Sequence, residues 1–392
     1  MCIRDRAEVD IVASEEAVVV AFMDQRSSSV VGAVNAGTIR LAVLTEGNLT
    51  FDAPFAAGET GDVDQFDPTL AMLPDGRTWI GWFEDDGAGT RHVRVARAAG
   101  PSGPYTVAAP LDDGVEAVDR PWITVAPDGT VYAAWVGAPS HRAYLTRSTD
   151  GGATFEPAIT SDVTGTMLGG LSATPDGSLW IVLNVYEGPA LEDPLLVAAR
   201  SRDGGAHFEP PLTLGHLGRP GRVIARSAPW GASGVLVAYT VRTGRDDVTS
   251  PDLVDGDIFL AGSSDGLTVV EGIAVPAPAG HKTVVAPPPA VAVDTAGDAH
   301  VLFYARRADG GGHDVDWRVF AATGPAGASP TTVVTLSPAA APGLHILSVM
   351  PPAIDVPTWL GDTVGLAVVG TTVHAAFAEN REGDADVFWS RF

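Results

Sequence analysis

The sequence has almost no cysteine, no long apolar run and little positive charge, and each shortage excludes a class of protein. A single cysteine, Cys2, in 392 residues leaves no intrachain disulfide and no cysteine metal site. No apolar stretch approaches the roughly 18 residues that a membrane-spanning helix needs, so we expect a soluble body without a membrane span. The formal net charge of −24 disfavours nucleic acid and anionic membrane surfaces as partners.

Sustained helical periodicity is also missing, whereas turn-forming residues are abundant. The 45 glycines and 30 prolines are scattered through the chain, which suits many short strands joined by turns. The sequence contains no phosphate loop, dinucleotide fingerprint or nucleophile elbow, and no histidine pair has zinc-ligand spacing. We therefore expect no metal and no cofactor. Calcium in the acidic loops 84–86 and 252–257 is the alternative, although neither loop matches calcium-loop spacing.

The first six residues, 1–6, do not resemble anything that follows them. They are similar to translated sequencing-adapter read-through, a contaminant at the start of metagenomic reading frames, and the alternative is a short disordered start. If they are an artefact, the natural N-terminus is missing and the lack of a signal peptide says nothing about export. Residues 7–392 then form one domain, because closed β architectures often exceed the usual domain length.

A short repeat of turn and buried strand runs along the whole chain. It is clearest as Pro74-Asp75-Gly76 followed by the apolar run 78–83. Further copies, some degraded, precede the runs 17–22, 131–135, 179–183, 235–239, 300–304 and 373–377. Seven units at periods of roughly 40–60 residues are typical of a propeller, because one sheet cannot bury both faces alone. The sequence predicts an all-β chain with a single β-propeller of four-stranded antiparallel blades, seven in number.

The last strand suggests how the ring closes. Residues 386–392 read as the third strand of the last unit, and no fourth strand follows them. Propellers commonly close by letting one terminus complete the blade begun by the other. We expect the completing strand upstream of Ala7, where the adapter-like residues stand.

A second motif, an aspartate–glycine turn, occurs twice in the middle of the chain. The Asp carboxylate can accept hydrogen bonds from its own turn, and the glycines supply positive φ. The Ser hydroxyl can bond across the turn, and the Phe can return to the sheet. The key residues are Ser148, Asp150, Gly152 and Phe155 in the first copy and Ser201, Asp203, Gly205 and Phe208 in the second. A degraded third copy is Ser263-Ser264-Asp265-Gly266.

The pattern Ser-x-Asp-x-Gly-x-x-aromatic resembles the Asp-box, or bacterial neuraminidase repeat, of sialidase-like β-propellers. In that family the box is a structural turn on the face opposite the binding site. Catalytic sialidases of the family have six blades, so six blades is the alternative to the seven units counted here. The resemblance implies a secreted or periplasmic protein, and we expect a monomer.

The resemblance also implies where a binding site lies: in loops after the second strands and at the starts of the inner strands. The segment Asp119-Arg120-Pro121-Trp122 is similar to one in uncharacterised secreted members of the superfamily. A competing interpretation is that such charged residues form ion pairs between adjacent blades. The candidate ligand-binding residues are Asp24, Arg26, Asp119, Arg120, Arg226, Arg306 and Arg381.

A sialidase needs an arginine cluster for the substrate carboxylate, a Tyr assisted by a Glu as nucleophile, and an Asp as acid and base. The candidates are Tyr304, Glu84 and Asp67. The family's opening Arg-Ile-Pro is absent, and Thr363 stands where relatives often carry tyrosine. We therefore predict a propeller that recognises a glycan or protein ligand on the face opposite the Asp-boxes. The alternative is an exo-sialidase or related glycoside hydrolase.

Overall fold

The fold is known from a computed structural model that describes most of the chain. The described residues are 6–24, 37–48, 50–58, 63–86, 89–112, 114, 116–138, 140–164, 167–185, 194–217, 225–242, 255–284, 287–308, 317–337, 363–379 and 386–392. Two candidate residues, Arg26 and Arg381, lie outside them, as do residues 1–5 and residues 252–254 of the acidic loop 252–257.

The described residues contain twenty-eight strands in seven antiparallel sheets, which we number as blades in chain order. Blade 1 comprises β1 (Arg6–Ala13), β2 (Ala17–Asp24), β3 (Thr38–Thr45) and β4 (Phe55–Ala56). Blade 2 comprises β5 (Asp64–Met72), β6 (Thr78–Asp85), β7 (Arg91–Ala98) and β8 (Thr106–Val107). Blade 3 comprises β9 (Ala117–Val125), β10 (Val131–Ala138), β11 (Arg142–Ser148) and β12 (Ile159–Thr164). Blade 4 comprises β13 (Met167–Ala173), β14 (Leu179–Val185), β15 (Leu195–Ser201) and β16 (Leu212–His216).

The last three blades are less regular. Blade 5 comprises β17 (Arg226–Trp230), β18 (Gly234–Arg242), β19 (Gly256–Ser263) and β20 (Val270–Ala274). Blade 6 comprises β21 (His281–Thr283), β22 (Ala290–Val293), β23 (Asp298–Arg307), β24 (Trp317–Pro325) and β25 (Thr332–Thr335), where β21 and β22 both pair with β23. Blade 7 comprises β26 (Gly365–Val369), β27 (Thr372–Glu379) and β28 (Asp386–Arg391), three strands within the described part of the chain.

The prediction of an all-β, seven-bladed propeller is confirmed, and the six-bladed alternative is wrong. Each blade meanders outward from an inner strand, and consecutive strands pair antiparallel. The described residues form no helix, so no candidate for a membrane-crossing helix occurs among them.

The hydrophobic core lies between blades, which explains why the second strands are apolar on both faces. Every residue of β2 is buried, and Trp79, Trp82 and Trp180 are among the largest fully buried side chains. One cluster joins residues of blades 6, 7 and 1, and β1 packs against β26 and β27. This packing closes the ring, because each blade covers a face of the next.

The aspartate–glycine turns close on themselves through hydrogen bonds. Ser148 Oγ donates to Asp150 Oδ1 at 2.7 Å, and Gly152 N donates to Ser148 Oγ at 2.7 Å. Ala153 N and Thr154 N donate to Asp150 Oδ1 at 2.9 and 3.0 Å. The φ of Gly152 is 86°, a conformation that a Cβ would oppose. The turn after Ser201 repeats this pattern of bonds, and the turn after Ser263 repeats the bonds to the Asp carboxylate.

Candidate functional site

The seven inner strands surround a cavity on the propeller axis. Its volume is about 270 Å³, near the lower end of the ~300–1,000 Å³ of typical ligand pockets. Most of the lining residues are apolar, and they come from all seven blades. The polar and aromatic side chains of this axial cavity are Asp10, Thr69, Trp122, Thr124, Ser172, Arg226 and Ser227.

Side-chain oxygens on the inner strands link blades 1 to 5 in sequence around the axis. In blades 2 and 3 these oxygens belong to threonines, whereas blade 1 uses the carboxylate of Asp10. The bonds are Leu70 N to Asp10 Oδ2 at 2.7 Å, Ile123 N to Thr69 Oγ1 at 3.5 Å, Ala173 N to Thr124 Oγ1 at 3.4 Å, and Ser172 Oγ to Ser227 Oγ at 3.0 Å. A titratable carboxyl group therefore stands where the neighbouring blades carry a neutral hydroxyl.

Arg226, at the start of β17, contributes a buried positive charge to the same cavity. Only 6% of the residue is exposed, and its guanidinium carbon lies 4.4 Å from the ring centroid of Trp122. Its Nε is buried and has no hydrogen-bond partner among the described residues. Buried polar groups are nearly always hydrogen-bonded, so an unsatisfied donor beside a cavity needs an explanation.

Arg226 belongs to a cluster of five charges drawn from four blades. Burial has the largest effect on the pKa of Arg226 and lowers it. Asp10 raises that pKa, Arg120 lowers it, and Asp67 and Glu8 raise it. Burial likewise raises the pKa of Asp10, against the opposing effects of Arg226 and of the bond from Leu70 N. Three carboxylates thus face two guanidinium groups across the axis.

Three members of this cluster have strained backbones. Glu8, Asp67 and Arg120 have φ values of 52°, 51° and 51°, which are uncommon for residues other than glycine. Each sits at a register shift near the start of its inner strand, and Asp67 N donates to the Glu8 carboxylate at 2.8 Å. Bulges and strained residues of this kind re-aim side chains and cluster at functional sites.

Other predicted residues are engaged in ion pairs. Arg306 makes a bidentate pair with Asp255 of blade 5, at 2.7 Å from Nε and 2.8 Å from Nη2. This is the contact between adjacent blades that the competing interpretation described. Asp24 pairs within blade 1, with its Oδ2 at 3.2 Å from Arg40 Nε.

The candidate catalytic residues make separate contacts. Tyr304 is 1% exposed and donates its hydroxyl to the Ala378 carbonyl at 2.5 Å, and burial raises its pKa well above the usual value. Glu84 accepts from Arg94 Nε at 2.8 Å and from Trp82 Nε1 at 3.1 Å within blade 2. Neither lines the axial cavity, whereas Asp67 belongs to the charge cluster beside it. Asp119 is half-buried on β9 and does not line the cavity either.

Two features were not predicted from the sequence. Asp10 is, with Glu8, one of two acidic residues in the inner strand β1, whose other residues from Ala7 onward are apolar, and these two acidic residues were the available signal. The second feature is a tyrosine–glutamate pair in blade 3: the Tyr144 hydroxyl donates to Glu116, which also accepts from Ser140 Oγ at 2.8 Å. Glu116 immediately precedes β9, on the face where the inner strands of blades 1 to 3 begin. No local motif joins residues on two different strands, so only the fold reveals the pair.

Hydrogen bonding sets the protonation of this pair. The bond to Glu116 raises the pKa of Tyr144, and burial adds to that effect. Burial of Glu116 is outweighed by the bonds from Tyr144 and Ser140, so the pKa of Glu116 is lowered. The resting pair is therefore a phenol and a carboxylate.

No group of His, Cys, Asp and Glu residues within the described ranges is arranged to hold a metal ion. The acidic residues Asp85 and Asp86 instead accept from Arg91 Nε at 2.9 Å and from Thr90 N at 3.0 Å.

Solved structures share this fold at low sequence identity. Puromycin hydrolase matches with a TM-score of 0.53 and 15% identity, covering 99% of this chain and 52% of that chain. The Hadza microbial sialidase Hz136 matches with a TM-score of 0.52 and 15% identity, covering 92% and 74%. A protein of unknown function from Dyadobacter fermentans gives 0.51 and 15%, covering 82% and 94%. The chain therefore has a sialidase-like propeller fold, and identity this low shows the fold alone.

No protein-family model matches the sequence, and no curated protein matches it either.

Proposed function

We propose that this propeller binds one sugar residue of a glycan in the axial cavity and does not hydrolyse it. The observation that carries the proposal is Arg226, which lines the cavity and whose buried Nε has no hydrogen-bond partner among the described residues. Leaving a buried donor unsatisfied costs about 1–3 kcal/mol, and more when the group is charged. A ligand oxygen that accepts from Nε would recover that free energy.

A sugar ring matches the mixed chemistry of the lining. Its hydroxyls can accept from the Arg226 guanidinium and donate to the Asp10 carboxylate, and both residues line the same cavity. The small volume suits one ring rather than a long chain. The sialidase-like fold supports a carbohydrate as the ligand class, because the neighbour Hz136 is a sialidase.

The local charge argues against a ligand that must carry a carboxylate. Glu8, Asp10 and Asp67 outnumber Arg120 and Arg226 in the cluster, and the whole chain carries −24. An acidic sugar would meet this negative potential unless the guanidinium groups dominate locally. We therefore expect a neutral sugar to bind at least as well as a sialylated one.

Titration calorimetry with lactose and 3′-sialyllactose tests the proposal. We expect saturable binding to the natural chain and about tenfold weaker binding, or more, to Arg226→Met, because the variant loses a charged hydrogen bond. Arg306→Met is the matched control. Its guanidinium is already paired with Asp255, so the affinity should persist while the melting temperature falls.

Two outcomes contradict the proposal. One is the absence of binding to either saccharide at millimolar concentration. The other is an Arg226→Met variant that binds as tightly as the natural chain. Preference for the sialylated sugar would leave the site in place but refute the charge argument.

The second candidate function is an exo-sialidase, which the Tyr144–Glu116 pair favours. A carboxylate that accepts from a phenol is placed to act as its general base. Against this, the raised pKa of Tyr144 keeps the phenol protonated at neutral pH. Turnover of a fluorogenic sialoside that is lost in Tyr144→Phe would establish this function and overturn binding without hydrolysis.

A further inference from the structure

A second candidate site lies at the seam between blade 7 and blade 1. It rests on a pair of side chains that recurs in the propeller: an aromatic residue near the start of a second strand, opposite an arginine near the end of the third strand. The pairs are Trp79 with Arg97, Tyr132 with Arg147, Trp180 with Arg200, and His374 with Arg391.

In three of these pairs, the aspartate–glycine turn of the following blade covers the side chains and offers a backbone carbonyl. Trp79 Nε1 donates to Gly151 O at 2.9 Å. The arginines of the next two pairs donate likewise, Arg147 Nη1 to Gly204 O and Arg200 Nη1 to Asp265 O, each at 3.4 Å. The turns approach so closely that a Cβ on Gly205 would overlap Leu145. In these three places, an aromatic–arginine pair thus contacts a glycine-containing turn of the following blade.

Among the described residues, no turn of blade 1 offers a backbone carbonyl to the fourth pair, His374 and Arg391. Phe51 of blade 1 instead packs edge-on against Trp389, which stacks on His374. The corresponding turn of blade 1, residues 45–48, is held on its own blade by Glu46 N, which donates to Glu16 O at 2.8 Å. A groove of about 540 Å³ remains open between the two blades. We call it the seam groove; the charged and aromatic residues that line it are Glu15, Glu16, Glu46, His374, Trp389 and Arg391.

Two buried nitrogens in the seam groove have no hydrogen-bond partner among the described residues: Nδ1 of His374 and Nε1 of Trp389. His374 is only 6% exposed. The residue at the same register in blade 6, His300, has both ring nitrogens engaged, with Thr323 Oγ1 at 3.0 Å and Asp294 Oδ2 at 3.1 Å. His374 therefore differs from His300 in having a buried ring nitrogen without a partner, a feature that His281 Nε2 of blade 6 shares.

The two walls of the groove carry opposite charge. Glu15, Glu16 and Glu46 are exposed on the blade 1 wall, and Arg391 is exposed on the blade 7 wall. A ligand that fits both walls needs acceptors for Arg391 and Trp389 and a positive group for the glutamates.

We propose that the seam groove binds a glycine-containing turn of a partner polypeptide that carries a basic side chain. Backbone carbonyls of the turn accept from Arg391 and from Trp389 Nε1, as Gly151, Gly204 and Asp265 carbonyls do in the covered pairs. The basic side chain lies against Glu15, Glu16 and Glu46. This site is independent of the axial cavity, which is lined by other residues.

The probe is a cyclic peptide with the sequence Ser-Lys-Asp-Gly-Gly-Ala-Thr-Phe, which is the blade 3 turn with a lysine in its second position. The readout is the indole N–H resonance of Trp389 in the ¹⁵N-labelled chain, assigned by its loss in Trp389→Phe. We expect a saturable downfield shift of that resonance, because Nε1 gains an acceptor. Arg391→Met should weaken binding about tenfold.

Arg97→Met is the matched control, because Arg97 lies against the glycines of a turn already in place, 3.6 Å from the position of a Cβ on Gly152. It should leave the peptide affinity unchanged. A Trp389 resonance that does not shift, or equal affinity in Arg391→Met with an unchanged melting temperature, would overturn the proposal. So would a Trp389 shift caused by a neutral oligosaccharide and not by the peptide, since that would assign the groove to a sugar.

Discussion

Asp10 and Arg226 are the charged side chains that line the axial cavity, and burying each of them costs free energy. Moving a charge out of water costs several kcal/mol unless partners compensate for it. Asp10 is compensated by the Leu70 amide and by Arg226, whereas Arg226 has Trp122 and distant carboxylates but no acceptor for Nε among the described residues. Such imbalance is expected where a ligand supplies the missing partner.

The raised pKa of Asp10 predicts how stability changes with pH. The folded chain holds this proton to higher pH than the unfolded chain, whose value is 3.8. As pH rises above about 4, the unfolded chain loses its proton first, so Asp10 progressively lowers the free energy of unfolding.

Asp10→Asn keeps an oxygen acceptor for Leu70 N and removes the titration. The variant should therefore gain stability relative to the natural chain as pH increases from about 4 to 7. Urea denaturation at several pH values measures this difference. A difference that stays constant, or that shrinks as pH rises, would show that Asp10 is not held in a desolvated site.

The sequence allowed part of the charge cluster to be predicted. Arg120, Arg226 and Asp67 stood out because they fall near the starts of inner strands, where a propeller places its loops. Arg306 was a candidate because it falls at the end of a second strand, yet it is bound to Asp255. Position along a strand does not reveal which carboxylate a long side chain will reach, so the two cases look alike in sequence.

The aspartate–glycine turns connect third and fourth strands and also bind neighbouring blades together. Their hydrogen bonds lower the pKa of Asp203 to about 2 and also lower the pKa values of Asp150 and Asp265. The largest contribution to the lowered pKa is the side-chain bond from Thr154 for Asp150, the backbone bond from His207 for Asp203 and the backbone bond from Thr268 for Asp265. The bonds stabilise the folded state only while the carboxylates are ionised.

The stabilisation from these turns is present above about pH 4 and is lost as pH falls through the folded pKa values. A triple variant with Asn at positions 150, 203 and 265 should have a lower melting temperature at neutral pH. The difference from the natural chain should shrink as pH falls from about 4 to 2. Calorimetry at these pH values measures the difference in melting temperature between the variant and the natural chain. A difference that grows in acid, or weaker glycan binding at an unchanged melting temperature, would contradict a structural role for the turns.

Turn chemistry made these elements predictable, because Asp and Gly at fixed offsets specify a turn locally. The split inner strand of blade 6 was not predicted. Pro287, Pro288 and Pro289 lie between β21 and β22, and prolines cannot donate to the ladder, so pairing with β23 is interrupted there. The three prolines are visible in the sequence, but the repeat of turn and buried strand indicates only β23, which follows them.

The seven-bladed ring explains why neither candidate site is visible in the sequence. The axial charge cluster takes residues from blades 1, 2, 3 and 5, and the seam groove joins the first blade to the last. Counting repeats predicts the ring, because each unit carries its own buried strand. It does not predict which side chains meet across the axis, since those distances depend on the tilt and packing of all blades together.

The most direct test of the account is the position of a bound sugar in a crystal of this chain soaked with lactose. The account predicts electron density for one ring in the axial cavity, with a sugar oxygen within hydrogen-bonding distance of Arg226 Nε and another near the Asp10 carboxylate. Density for the sugar elsewhere on the propeller, with the axial cavity holding only water, would contradict it.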